Sequence, residues 1–384
     1  MLASPAPLSG NPLVASVPRA QIARIGVLVA LFYALVLPII TKDVGYYYGP
    51  WLDHIWAAGP IAAFAKPFGN YTPPYLYLLA LLSPLKLVLS DAAVIKSVSL
   101  VGNALLALAM GVTLKRLGTG NGAIGALAVV ALPSAILNAA LLGQCDALYV
   151  APIVMAAGAA ATRRPGAMLA WFGFALSIKL QAILCAPFFL AMLLAWRKPL
   201  WRWWPAPAAF IAAMLPAWTI GWPGSDLATI YLRQARDLDG IFLNAPNIWT
   251  IAELAIGSAS GFFTLAIAAA CAASLAYLVW MRQHAVRFSQ TQLLNAALLA
   301  PLLTAGLLPR MHERYFFAAD ILALLLALAA PARNTTMLVV LVQLGSCLAM
   351  LGYLTGADLL AALAAVPMLV ATAMVTRSLI TAHD

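Results

Sequence analysis

Long apolar runs separated by short polar islands set the pattern of this chain. After a polar stretch rich in Pro and Ser at 1–18, the first apolar run covers 21–40. Others follow at about 94–116, 121–141, 147–162, 166–178, 181–196, 205–221, 261–281, 291–308, 315–331, 335–353 and 359–376. A helix that crosses the hydrocarbon of a bilayer needs about 20 apolar residues, and these runs are continuous rather than alternating, which argues against a membrane β-barrel. The pattern predicts an all-α, polytopic transmembrane bundle of about 12 helices.

Composition sharpens the class. Hydrophobic residues make up 64% of the 384, charged residues only 9%, and mean hydropathy is +0.94. A soluble fold would have too little polar surface to cover itself. The net charge of +10 would suggest nucleic acid in a soluble protein. Here it reads as orientation, because Lys and Arg collect in the cytoplasmic loops of membrane proteins.

Arg19 and Arg24 mark the entry of the first run as cytoplasmic, and the threading above then puts Lys115, Arg116, Arg163, Arg164, Arg197, Lys198, Arg202, Arg282, Arg287, Arg333 and Arg377 on that same side. Both termini are expected to be cytoplasmic. Every acidic residue except Asp384 then falls at or beyond the outer boundary, which points to external chemistry. The stretch 1–18 reads as a disordered tail, and 19–384 as one membrane domain. The first apolar run lacks a small-residue cleavage site and should remain as a span. Cys145, Cys185, Cys271 and Cys347 are too scattered for a disulfide framework or metal site and read as packing residues.

One polar stretch interrupts the pattern early. The sequence TKDVGYYYGPWLDHIWAAGPIAAFAKPFGNYTPP holds Asp43, Tyr46, Tyr47, Tyr48, Trp51, Asp53, His54 and Trp56. The apolar segment after it, 73–90, is broken by Pro84 and Lys86. If it spanned, every later basic cluster would lie outside, so 41–93 is expected to be one large external loop with helices lying in the interface.

Five polar islands converge on the outer side: the Asp43 and Asp53-His54 loop, Gly143-Gln144-Cys145-Asp146, Lys179-Leu180-Gln181, 231–249, and 310–315. Ionisable groups at such depth are costly unless paired or facing water, so each marks a candidate site; ion pairs that only join helices would use the same residues. Arg310, His312 and Arg314 offer donors suited to phosphate oxygens, although Arg and Tyr also anchor membrane boundaries. The Tyr231 to Trp249 island mixes aromatic and Asn side chains, which suit the faces and hydroxyls of a sugar; a turn with an interfacial Trp has the same look. Asp43 can take a proton from an acceptor hydroxyl as general base, with Asp53 as its competitor. His54 and His312 are too sparse for a zinc cluster, so no metal or other cofactor is expected.

These residues resemble, in order and spacing, the GT-C superfamily of integral-membrane glycosyltransferases that use polyprenyl-phosphate sugars, in particular bacterial mannosyltransferase-like members. Asn70-Tyr71-Thr72-Pro73-Pro74-Tyr75 looks like the family's Tyr-Pro-Pro-Leu pattern, with Thr72 where Tyr is usual. Gly143-Gln144-Cys145-Asp146 looks like its Gly-Gln-x-Asp. Lys179-Leu180-Gln181, Asn244 to Trp249 and His312-Glu313-Arg314-Tyr315 are similar to later motifs.

The resemblance implies an enzyme of the bacterial inner membrane with a periplasmic site. It would perform an inverting transfer of a hexose, mannose favoured, from a polyprenyl-phosphate donor to a lipid or glycan acceptor. Asp43 would be the base, and Arg310, His312, Arg314 and Lys179 would hold the phosphate. Asp53, His54, Gln144, Asp146, Tyr231, Asn247, Trp249 and Glu313 would hold sugar or acceptor. The competing expectation is a transporter or flippase of lipid-linked sugars. Its polar residues should line a path through the bilayer.

Overall fold

In hydrocarbon every backbone N–H and C=O must find its partner within the protein, and a helix satisfies them along its own length. The computed structural model describes residues 19–120, 122–236, 242–258 and 260–381, and these are almost entirely helical. The expected tail at 1–18 lies outside the described residues.

The first helix, α1 (Arg19–Val36), runs into Pro38. Between it and α4 (Asp91–Arg116) the large loop is itself helical: a π-helical turn at Val44–Tyr48, α2 (Gly49–Ala58), α3 (Pro73–Leu82) and a tight turn at Ser83–Leu87. At ten residues, α3 is about 15 Å long, half of what a span requires. Pro73 and Pro74 open it, at positions where a missing N–H costs nothing.

Next come α5 (Gly122–Ala131) and α6 (Pro133–Ile136), the latter continuing as a π turn at Leu137–Leu141. The expected span at 121–141 is therefore broken, with a bend of 59° between its halves. Pro133 causes it, since it cannot donate to the preceding turn and drives Leu132 into extended backbone.

The middle of the chain holds α7 (Asp146–Ala161), α8 (Pro165–Ile178), α9 (Ala186–Ala195), α10 (Pro205–Ile220), α11 (Gly224–Arg236) and α12 (Ile248–Ile256). After these come α13 (Phe263–His284), α14 (Gln290–Leu307), α15 (Phe317–Ala329), α16 (Arg333–Thr355) and α17 (Asp358–Thr381). The only ladder among the described residues is a parallel pair of two-residue strands, β1 (Phe242–Leu243) and β2 (Met311–His312).

Among the described residues four helices are long and apolar enough to cross a membrane: α4, α13 with its 3-10 extension to Arg287, α16 and α17; the bent pair at 122–141 would be a fifth if it forms one span. The apolar runs at 146–161, 165–178, 180–195 and 317–329 form shorter helices.

At the centre lies α7, with every residue buried, as expected of a helix that is apolar all round. It packs against α4, α8, α14 and α15, while α16 lies along α17. Backbones approach closely where side chains are small: a Cβ on Gly173 of α8 would overlap the Ala206 carbonyl of α10. All four cysteines are free thiols. Cys145 and Cys185 pack in the interior, whereas Cys271 is exposed, which corrects its expected place in the core.

Candidate functional site

The polar islands of the sequence meet where the most buried helix begins. Asp146 opens α7, so its carboxylate sits in the first turn, where the helix dipole favours negative charge. Asn138 Nδ2 donates to Asp146 Oδ2 at 2.8 Å. The Lys179 ammonium closes a short salt bridge to Asp146 Oδ1. Lys179 leaves the end of α8 in extended conformation, which points its side chain back towards α7. Only 4% of the Lys179 side chain and 1% of that of Asp146 are exposed, so this pair is the floor of the site.

Gln144 connects the floor to the mouth. Its Nε2 donates to Asp43 Oδ2 at 2.5 Å. Its Oε1 accepts from the Tyr48 hydroxyl at 2.9 Å and from Lys179 Nζ at 3.4 Å. Tyr48 shares a further hydrogen bond with the Tyr71 hydroxyl at 3.0 Å, and the Lys179 ammonium lies 5.2 Å from the Tyr71 ring centre. Tyr48, Trp51, Tyr71 and Tyr75 form a cluster of tilted and edge-on rings behind Asp43.

The geometry of this joint explains Gly143. With φ +67, it takes a left-handed conformation, and a Cβ there would come within 2.7 Å of Val44 Cγ2. Only glycine lets the 143–146 loop close on the segment that carries Asp43. Both partners in the joint border π turns, 44–48 and 137–141, a backbone irregularity frequent at functional sites.

From the opposite side, the loop between α14 and α15 brings its charges to the mouth. Arg314 Nη2 lies 3.8 Å from Asp43 Oδ2, and its Nη1 donates to Glu313 Oε1 at 2.7 Å. His312 Nδ1 is 3.6 Å from Glu313 Oε2. Glu313 is fully buried. Burial alone would raise its carboxyl, but the Arg314 guanidinium and His312 outweigh burial and hold it down at about 2. The Asp43 side chain keeps 17% of its surface and that of His312 24%, so these groups are open to an incoming molecule while the floor is closed. Among the described residues no group hydrogen-bonds Asp43 Oδ1, leaving that oxygen available to take a proton.

Seven of the expected site residues thus form one connected network: Asp43, Gln144, Asp146, Lys179, His312, Glu313 and Arg314. The others stand elsewhere. Asp53 pairs with Lys86, at 2.5 Å, on the exposed face of the loop, and Lys86 also meets Asp91 at 3.2 Å. His54 bonds the Ala63 carbonyl at 3.2 Å and lies against Phe68. Tyr231 donates to the Leu176 carbonyl.

Asn247 and Trp249 lie apart from this network, with their polar atoms engaged by backbone. Asn247 Oδ1 caps α12 by accepting from the N–H groups of Trp249 and Thr250, its Nδ2 donates to the carbonyls of Ala305 and Leu308, and Trp249 Nε1 donates to the Leu307 carbonyl at 2.6 Å. Arg310 adopts φ +60 and lays its guanidinium over the Phe263 ring, 4.6 Å from its centre.

Among the buried polar residues that sequence reasoning passed over, Asn138, Lys96 and Asp320 stand out. Asn138 orients Asp146, and a polar residue one turn before Gly143 was its available signal. Lys96 is 1% exposed within α4. Asp320 is fully buried in the first turn of α15. Ser134, Gln343 and Ser346 surround it. Among the described residues no three His, Cys, Asp or Glu side chains converge as a metal site.

The sequence matches no family model and no curated protein. The geometry itself defines a helical protein with apolar helices long enough to cross a membrane and a charged, aromatic-backed cluster at one end of its central helix.

Proposed function

We propose that this chain is an inverting glycosyltransferase of the GT-C kind, about twelve spans threaded with both termini in the cytoplasm of a bacterial cell. It transfers a hexose, mannose favoured, from a polyprenyl-phosphate donor to a lipid or glycan hydroxyl on the periplasmic face. The observation that carries the reading is the Asp43 carboxylate. One of its oxygens is held by the Gln144 amide at 2.5 Å, and a guanidinium stands 3.8 Å away.

In this reaction Asp43 Oδ1 takes the proton of the acceptor hydroxyl. The acceptor oxygen attacks the anomeric carbon as the bond from that carbon to the phosphate oxygen breaks, and the electron pair leaves on the lipid phosphate. Arg314 and His312 are placed to meet the charge that grows there. Arg310 comes from the same loop and reaches the phosphate after leaving the Phe263 ring. Lys179 has its charge matched by Asp146, so its part is to orient Gln144, through the 3.4 Å contact, rather than to grip phosphate. The partly exposed Tyr71 ring offers an apolar face to a sugar or prenyl chain, with the buried Tyr48 and Trp51 packed behind it.

The second reading, a flippase of lipid-linked sugars, draws support from the broken span at 122–141 and from Lys96 and Asp320 buried within helices, features common in transporters. One experiment separates the two. Membranes carrying the wild-type chain or Asp43→Asn are given radiolabelled polyprenyl-phosphate sugars, one at a time. Label entering a new product with wild type and lost with Asp43→Asn supports the transferase. No product from any donor, with equal movement of labelled lipid across vesicles by both proteins, supports the flippase.

A further inference from the structure

One buried cation lies outside the charged network just described. Lys96 is the sixth residue of α4 and 1% exposed. Among the described residues no carboxylate comes within salt-bridge reach of its ammonium. Its Nζ instead donates to two backbone carbonyls, Leu37 at 2.8 Å and Ile39 at 2.6 Å. These carbonyls lie just past the end of α1, where the last C=O groups of a helix lack partners within it and Pro38 prevents its continuation. The end of a helix dipole is also its negative end, which suits an ammonium.

From Ile39 the chain runs directly to Asp43, and on the way it meets the 142–143 loop. Thr41 Oγ1 donates to the Leu142 carbonyl at 3.2 Å. Val44 lies against Gly143, and the Lys96 stem passes beside the same glycine, its Cγ 3.6 Å from where a Cβ would stand. Lys96 therefore touches both halves of the joint that brings Asp43 to Gln144. It grips the segment before Asp43 with its head and flanks the loop before Gln144 with its stem. Burying an ammonium against carbonyls alone is an expensive way to fill space. A methionine of similar length would pack there without that cost.

We propose that Lys96 is a positioning residue: it anchors the exit of α1 so that Asp43 meets the Gln144 amide in the geometry the chemical step needs, without itself touching substrate. The inference rests on Asp43 being the general base.

The test uses the full chain in lipid nanodiscs with Lys96→Met and, as a milder probe of the same joint, Thr41→Val. Hydrogen exchange is followed by mass spectrometry on peptides covering 37–48 and 138–146. Faster exchange confined to these peptides is expected, larger for Lys96→Met. In the transfer assay kcat should fall by about 100-fold for Lys96→Met, the scale of a misplaced reacting group, with KM for the donor unchanged, and by less for Thr41→Val. If Lys96→Met does not fold, the same pattern at smaller amplitude in Thr41→Val decides. Wild-type exchange at 37–48, or faster exchange with unchanged kcat, would overturn the proposal. A wild-type chain that transfers no sugar, while Lys96→Met still loosens 37–48, would remove the transferase reading and leave Lys96 as an anchor with no catalytic role.

Discussion

Lys179 and Asp146 are two opposite charges shut away from water, each the other's main compensation. Removing one leaves an unmatched charge in the interior. Lys179→Met should therefore destabilise the protein by about 3–5 kcal/mol, read as a fall in thermal midpoint in detergent. Adding Asp146→Asn to the same chain should restore a large part of the loss, since paired positions are not additive. Gly143→Ala should be damaging for another reason: it forces a side chain into left-handed backbone and against Val44. We expect it to cost transfer activity more than tenfold, measured against Gly166→Ala, where a Cβ meets nothing within 4 Å, as a control.

At this scale the sequence was informative about charges. In a chain with 9% charged residues, Asp43, Asp146, Lys179 and Arg314 had to be paired or functional, and they came together. Asn247 and Trp249 stand outside that cluster, and an Asn just before a helix serves equally well as a cap. The sequence carries no sign that separates a capping side chain from a ligand-binding one.

Among the elements, the clearest departure from expectation is the bend at Pro133. An apolar run of 21 residues reads as one span until the proline is seen to free backbone groups that something must satisfy. Gln343 of α16 does so: its Oε1 accepts from Ser134 N–H at 3.0 Å, and its Nε2 donates to Ser134 Oγ at 2.8 Å. That partner lies 209 residues away, which no local pattern reveals. The helix ends were more legible. Ser90 caps α4, and Ser289 with Gln292 forms a capping box on α14. For α12, Asn247→Ala should cost about 1 kcal/mol and loosen exchange within Ile248–Ile256. Donor KM should stay unchanged if Asn247 serves only as a cap.

For the molecule as a whole, the all-helical architecture followed from hydrophobic patterning, because backbone in hydrocarbon leaves few alternatives. How the islands assemble at the start of α7 depends on packing between helices distant in sequence, which hydropathy does not encode. A stability-versus-pH measurement reads that assembly. Glu313, ordinarily near 4.5, is held at about 2 in the folded chain. Its contribution is then complete above pH 4.5 and is lost as pH falls through about 2. Wild type should be more stable than Glu313→Gln at pH 6, and the difference should vanish towards pH 2. Equal stability at both pH values would mean that Glu313 gains nothing from Arg314 and His312.

The short ladder of β1 with β2 has a consequence for how such a protein can diversify. Phe242 and Leu243 are joined to Met311 and His312 through main chain, in parallel register, with Asn244 bridging to His312. Peptide groups make this join whatever side chains they carry, so long as none is proline. The two segments can therefore exchange side chains over generations while the seam that keeps them adjacent survives each change.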